Sequence, residues 1–111
     1  MGYSRAVRVG QHVFVGGTAP VMPNGEEPPA DAYGQTARCL EIIVDALRQA
    51  GAEPEHVVRT RIFAAHAGDF EEIARAHDVV FGDVCPASTC VVVKLLDLRW
   101  RVEIEAEALL P

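Results

Sequence analysis

Three carboxylates, Glu103, Glu105 and Glu107, alternate with Val102, Ile104, Ala106 and Ala108 near the C-terminal end of the sequence. A period of two is that of a strand with one apolar face, so the carboxylates share the other face. Like charges on one strand face repel unless they meet water or cations, and Arg59 and Arg61 share a face of a second alternating run. The plain reading is a solvated or ion-paired sheet face. A desolvated Glu103 or Glu105 would instead act as a general base on water, or as the group that positions it.

Other chemistries find less support. His12, His56, His66 and His77 show no H-x-x-x-H spacing, and Cys85 and Cys90 do not form a C-x-x-C, so no metal site is expected. Gly16-Gly17 leads to Pro20 and a loop rather than into a helix, which argues against a phosphate-binding turn and its nucleotide cofactors. The G-x-S-x-G elbow of serine hydrolases is absent. Cys90 lies in an apolar run and reads as a small buried hydrophobe, and neither Cys39 nor Cys85 has a stronger claim as a nucleophile. His77 falls on an apolar helical stripe and reads as a satisfied core residue.

These groups must be held by elements whose periods are legible. Ser4 to Val9 and His12 to Gly16, split by Gly10-Gln11, predict a hairpin that Gly17 to Pro20 breaks, with a surface loop over Val21 to Ala30. A helix is predicted from Asp31 as N-cap to a stop at Gly51, with Ala37, Leu40, Val44 and Leu47 on its apolar stripe and Gly34 weakening its first turn. Val57 to Ala64 alternates as a half-buried strand, with Val58, Thr60, Ile62 and Ala64 on one face and Val57, Arg59, Arg61 and Phe63 on the other. Asp69 and Glu72 resemble a capping box for a second helix with Phe70, Ile73, His77 and Val80 buried, ended by Gly82. Ser88 to Leu95, apolar on both faces, predicts a strand central in its sheet, and Val102 to Leu109 is the last strand. The order predicts an α+β fold with two helices on one face of a mixed sheet. Phe63 and the doubly apolar strand suggest that the other face is partly covered by a second copy of the chain.

Composition bounds the rest. At 111 residues the chain forms one domain, 1–111, with one modest core and no second lobe to make a cleft. Ten Lys plus Arg against 16 Asp plus Glu leave a formal charge of −6, which argues against a nucleic-acid partner. Three cysteines, an odd number, read as reduced thiols. With no secretion-signal pattern, and no apolar run near the ~18 residues a span needs, the expectation is a cytoplasmic protein without a membrane partner.

The segments Gly2-Tyr3-Ser4-Arg5-Ala6-Val7, Val15-Gly16-Gly17, Val57-Val58-Arg59-Thr60, Pro86-Ala87-Ser88-Thr89-Cys90 and Val102-Glu103-Ile104-Glu105-Ala106 resemble, in order and spacing, the Rid superfamily, also called the RidA, YjgF, YER057c or UK114 family. The resemblance spans nearly the whole chain. It implies a chorismate-mutase-like fold, assembly as a homotrimer, and small-molecule clefts between subunits. It also implies hydrolysis of enamines and imines such as 2-aminoacrylate, without metal or cofactor. Carried over by position, Tyr3 matches the pocket aromatic, Gly16 and Gly17 the backbone segment, Cys90 the cleft cysteine and Glu103 the glutamate that helps place water. Ser88 stands where the deaminases carry the arginine that pins a substrate carboxylate, and a neutral hydroxyl cannot replace that bidentate contact. The chain therefore resembles a divergent member, for which three readings are open. One is a hydrolase acting on another C=N or enamine substrate, with Arg5 or Arg61 replacing the lost arginine. Another is a trimer that binds a metabolite without chemistry, as a sensor or chaperone-like module. The third, an endoribonuclease or translation inhibitor, is opposed by the acidic charge.

Overall fold

The computed structural model describes residues 1–111. A two-residue turn with Gly10 at φ +60° joins β1 (Ala6–Val9) to β2 (His12–Thr18). After a loop come α1 (Ala32–Gln49), β3 (Val57–Ala64), α2 (Phe70–Phe81), β4 (Ala87–Val92) and β5 (Val102–Leu109). The sheet order is β1-β2-β5-β3-β4, with β3 and β4 parallel and every other pair antiparallel. Parallel neighbours need a long crossover, which α2 supplies between β3 and β4. Because β5 inserts antiparallel between β2 and β3, those two strands run the same way, and α1 is their crossover. Crossovers of one hand place both helices on one sheet face.

The core lies between that face and the helices: Val13 and Val15 of β2, Leu40, Ile43 and Leu47 of α1, Ile62 of β3, Ile73 of α2, and Val102, Ile104, Ala106 and Ala108 of β5. Helix α1 starts as expected, with the Asp31 carboxylate accepting from the Gly34 amide at 2.8 Å. Gly34 is there for space, since a Cβ would meet Asp31 Oδ1 at 2.7 Å and Pro29 Cβ at 2.8 Å. Buried Gln35 clamps the strand connections: its amide donates to the carbonyls of Pro29 and Arg99, and its oxygen accepts from the Arg101 amide.

Five expectations are corrected. The strand after Pro86 spans Ala87–Val92 and is an edge, not the centre of the sheet; Val91 and Val92 are exposed, Val92 at 57%, and Cys90 is half-buried. A run apolar on both faces requires cover, and cover for an edge can come from outside the chain. Secondly, Asp69 does not cap α2, because its carboxylate accepts instead from Arg101 Nη1 at 3.0 and 3.3 Å. Thirdly, Val57 is buried and Val58 exposed, the reverse of the alternation, because a register irregularity between Val57 and Arg59 flips the strand start. Fourthly, Phe70 is exposed while Ala76 and Phe81 are buried, and on α1 Ala37 is exposed and Val44 half-buried while Cys39 and Ile43 face the core. Lastly, the first strand begins at Ala6 and the second runs through Gly16-Gly17 to Thr18 with an irregularity there.

Candidate functional site

On the open sheet face the carboxylate ladder divides. Arg61 of β3 lies opposite Glu105 and donates to Glu105 at 3.1 Å and to Glu107 at 3.0 Å, which raises the guanidinium pKa above its ordinary value. Arg61 is thus spent within the ladder. Glu103, opposite Phe63, takes part in no ion pair. Its carboxylate lies against the β2 irregularity, where a Cβ on Gly17 would come within 2.5 Å of Glu103 Oε2. The missing Cβ of Gly17 leaves the room in which the Glu103 carboxylate rests.

Arg5 fastens the same place. Its Nη1 donates to the Gly17 carbonyl at 2.7 Å and to Thr18 Oγ1 at 3.0 Å, while the Gly16 amide donates back to the Arg5 carbonyl at 2.9 Å. Tyr3, largely exposed, lines a groove with Arg5 and Arg38. Tyr3, Arg5, Gly16, Gly17 and Glu103 therefore gather around one irregular turn of backbone. Beneath it the Cys39 thiol is pushed up to about 12, first by burial and then by the Glu103 charge, with Arg38 and Arg5 opposing. It is an inert core group.

Ser88 and Cys90 lie elsewhere. They pair with Thr60 and Ile62 of β3, so they share the helix-side face rather than the open face that carries Glu103. Ser88 Oγ is 2.7 Å from Thr60 Oγ1, which is 2.9 Å from His77 Nε2 on α2. Ser88 and His77 border a cleft of about 460 Å³ between α2 and the β4 edge, which Phe70, Cys85 and Cys90 also line, and the buried Thr60 links the two from behind it. Burial lowers the pKa of His77, with the Asp78 charge opposing, and raises that of Cys90. Cys90 is therefore held as the thiol. The expectation of a satisfied core residue at His77 is met only in part: it is satisfied by Thr60, but it is half-buried at the cleft and not in the core. The link through Thr60 was not foreseen: Thr60 sits on the apolar face of β3, but that it faces Ser88 depends on strand register.

Within one chain, then, the residues carried over from the resemblance form two half-sites on opposite faces of the sheet, with Arg61 apart from both. No group of three or more His, Cys, Asp and Glu side chains comes together as a metal site would require.

An α+β chain with both helices on one face of a five-stranded mixed sheet defines the class. The model of the Endoribonuclease L-PSP family matches residues 1–110, and the chain belongs to that family, the RidA/YjgF family. The RutC family protein y4sK of Sinorhizobium fredii is 37% identical over 105 residues, 94% of this chain and 83% of that protein. A RutC family protein of Pyrococcus abyssi is 35% identical, over 96% of this chain and 84% of its own length. Among solved structures, Mycobacterium tuberculosis Rv2704, a member of the YjgF/YER057c/UK114 family, superposes with TM-score 0.88 at 38% identity, covering 97% of this chain and 86% of that one. Escherichia coli TdcF with bound serine superposes with TM-score 0.92 at 30% identity, covering 100% and 89%. No helix is long and apolar enough to cross a membrane.

Proposed function

We propose that this protein is a cytoplasmic homotrimer that hydrolyses a small enamine or imine in clefts between subunits, on a substrate other than 2-aminoacrylate. The observation that carries the reading is the division of the family-matched residues into two half-sites that one chain cannot close on itself. A neighbouring copy docked along the β4 edge, where Val91 and Val92 are bare, would bring its own Gly17 and Glu103 toward Ser88 and Cys90. In that cleft Glu103, free of ion pairs, accepts a proton from water while the water oxygen adds to the C=N carbon. Glu103 hands that proton to the imine nitrogen, then takes the proton of the adduct hydroxyl and passes it to the same nitrogen, so that the C–N bond breaks, ammonia or an amine leaves and the C=O forms. Tyr3 and the backbone of Gly16 and Gly17 wall the site. The groups named here supply all the proton transfers, so neither a cofactor nor a metal is invoked. With −6 net charge the surface is a poor match for RNA, so we do not extend the family's endoribonuclease description to this chain.

A second reading, a trimer that binds a metabolite without turnover, draws on two observations. Arg5 and Arg61 are both engaged, by Gly17 and by Glu105 with Glu107, so neither stands free in place of the missing arginine. The TdcF structure, moreover, holds serine. One experiment separates the readings. Light scattering gives the mass, and a coupled carbonyl-release assay is run over a panel of imines, including 2-aminoacrylate, on the wild type, Glu103→Ala and Ser88→Arg. Turnover lost in Glu103→Ala supports the hydrolase, and a monomer overturns both readings. Ligands that stabilise the trimer and are recovered unaltered favour the second. Robust wild-type turnover of 2-aminoacrylate overturns the role given to Ser88.

A further inference from the structure

The cleft between α2 and β4 contains no lysine or arginine; Asp78 is its one charged lining residue, and Phe70, Phe81 and Ile62 make it largely apolar. A carboxylate entering it finds no cation. What it offers is the row Ser88, Thr60, His77, with oxygens and nitrogen 2.7 and 2.9 Å apart. Thr60 is fully buried between its two partners, and its hydroxyl has one proton, so it donates to one and accepts from the other. The row therefore points one way at a time. Pointed inward, Ser88 donates to Thr60, Thr60 donates to His77 Nε2, and Ser88 presents only lone pairs to the cleft. Pointed outward, His77 donates to Thr60, Thr60 to Ser88, and the Ser88 proton faces the cleft.

We propose that the relay from His77 through Thr60 to Ser88 makes this cleft a receptor for the N–H end of a small amine or imine that carries no carboxylate. The proposal rests on the cleft reading above and deepens it by naming the substrate class. An ammonium or iminium group, which can only donate, fits the inward arrangement and the Asp78 charge. A charged imidazole has donors on both nitrogens and forces the relay outward, which withdraws that arrangement and adds a repelling charge. Burial of His77 favours its neutral form, the one the inward direction needs. The titratable groups lining the cleft with His77 are Asp78, Cys85 and Cys90, whereas Arg61, Glu105 and Glu107 pair on the opposite face of the sheet. Thr60 and His77 are positioning residues; Ser88 makes the contact.

The test uses n-butylammonium and butyrate, which share an alkyl body and differ in headgroup, titrated into the folded protein by NMR with the His77 imidazole as reporter. Above the His77 midpoint the wild type should prefer butylammonium by ~10-fold or more, the usual weight of a charge-assisted hydrogen bond. The preference should shrink as pH falls through that midpoint. Bound butylammonium should lower the midpoint, because it favours neutral imidazole, and butyrate should raise it. Ser88→Ala, at an exposed position that leaves the fold intact, should erase the preference; Thr60→Val should flatten its pH dependence; Ser88→Arg should reverse it. Butyrate binding as tightly as butylammonium, an unmoved His77 midpoint, or no response of the cleft residues to either probe would each overturn the proposal. A monomeric mass overturns the intersubunit reading without touching the headgroup preference, whereas a trimer lacking that preference overturns the relay alone.

Discussion

Strands β5 and β4 are both rich in aliphatic residues and both lie next to β3, yet they have opposite fates. In β5, Val102, Ile104, Ala106 and Ala108 are buried and the intervening glutamates half-buried, because β2 and β3 flank it and the helices cover one face. In β4 the denser apolar run Cys90-Val91-Val92 lies at the margin with one neighbour, and Val91 and Val92 are exposed. Alternation is a demand the chain can meet by itself, with one face to the core and one to water. A run apolar on both faces is a demand that a chain with one helix layer cannot meet at its edge. Contiguous hydrophobicity at an edge thus marks a surface that the chain's own core leaves bare, and in the proposed homotrimer a neighbouring copy covers it.

Substitutions should sharpen that contrast in descending order. Ile104→Ala, at a fully buried site in β5, should cost about 2–5 kcal/mol in chemical denaturation. On β4 the double change Val91→Asp with Val92→Asp should leave the single-chain unfolding transition nearly intact and reduce the mass seen by light scattering to that of a monomer; an unchanged mass would place the interface elsewhere. Gly17→Ala puts a Cβ 2.5 Å from Glu103 Oε2, the mobile end of that side chain, so it should swing the carboxylate away at a stability cost under about 1 kcal/mol and leave a Glu103→Ala background unaffected. A smaller effect concerns the link from β4 to α2. The folded pKa of His77 lies below 6.5, so the unfolded chain binds the proton more tightly. Stability should therefore be complete above pH 6.5 and fall as pH drops from there through the folded value, a slope that His77→Phe should remove. Least of all, Cys39 should resist alkylation until the protein unfolds, while exposed Cys85 reacts in the native state.

The site was legible to the extent that it is local. Glu103 on an outward face follows from period two alone, and Asp31 as N-cap needed only its neighbours. The separation of Glu103 from Glu105 and Glu107 was not legible, because it arises from Arg61 lying opposite Glu105 and from Gly17 lying against Glu103, two pairings distant in sequence. Asp69 shows the same limit. Its position suited a cap, and a stronger partner, Arg101, arrives from the far end of the chain.

Residue order settled the element types, the outward glutamates, the helix-side Thr60 and the neutral hydroxyl at Ser88, since side-chain direction in strands and helices repeats with the backbone and needs no partner. Folding alone decided which strand became the edge and which arginine was consumed. It also set Ser88 against Thr60 and His77 rather than beside Glu103. Strand order and register are contacts between distant segments, and they are chosen by the packing of the whole sheet against its helices.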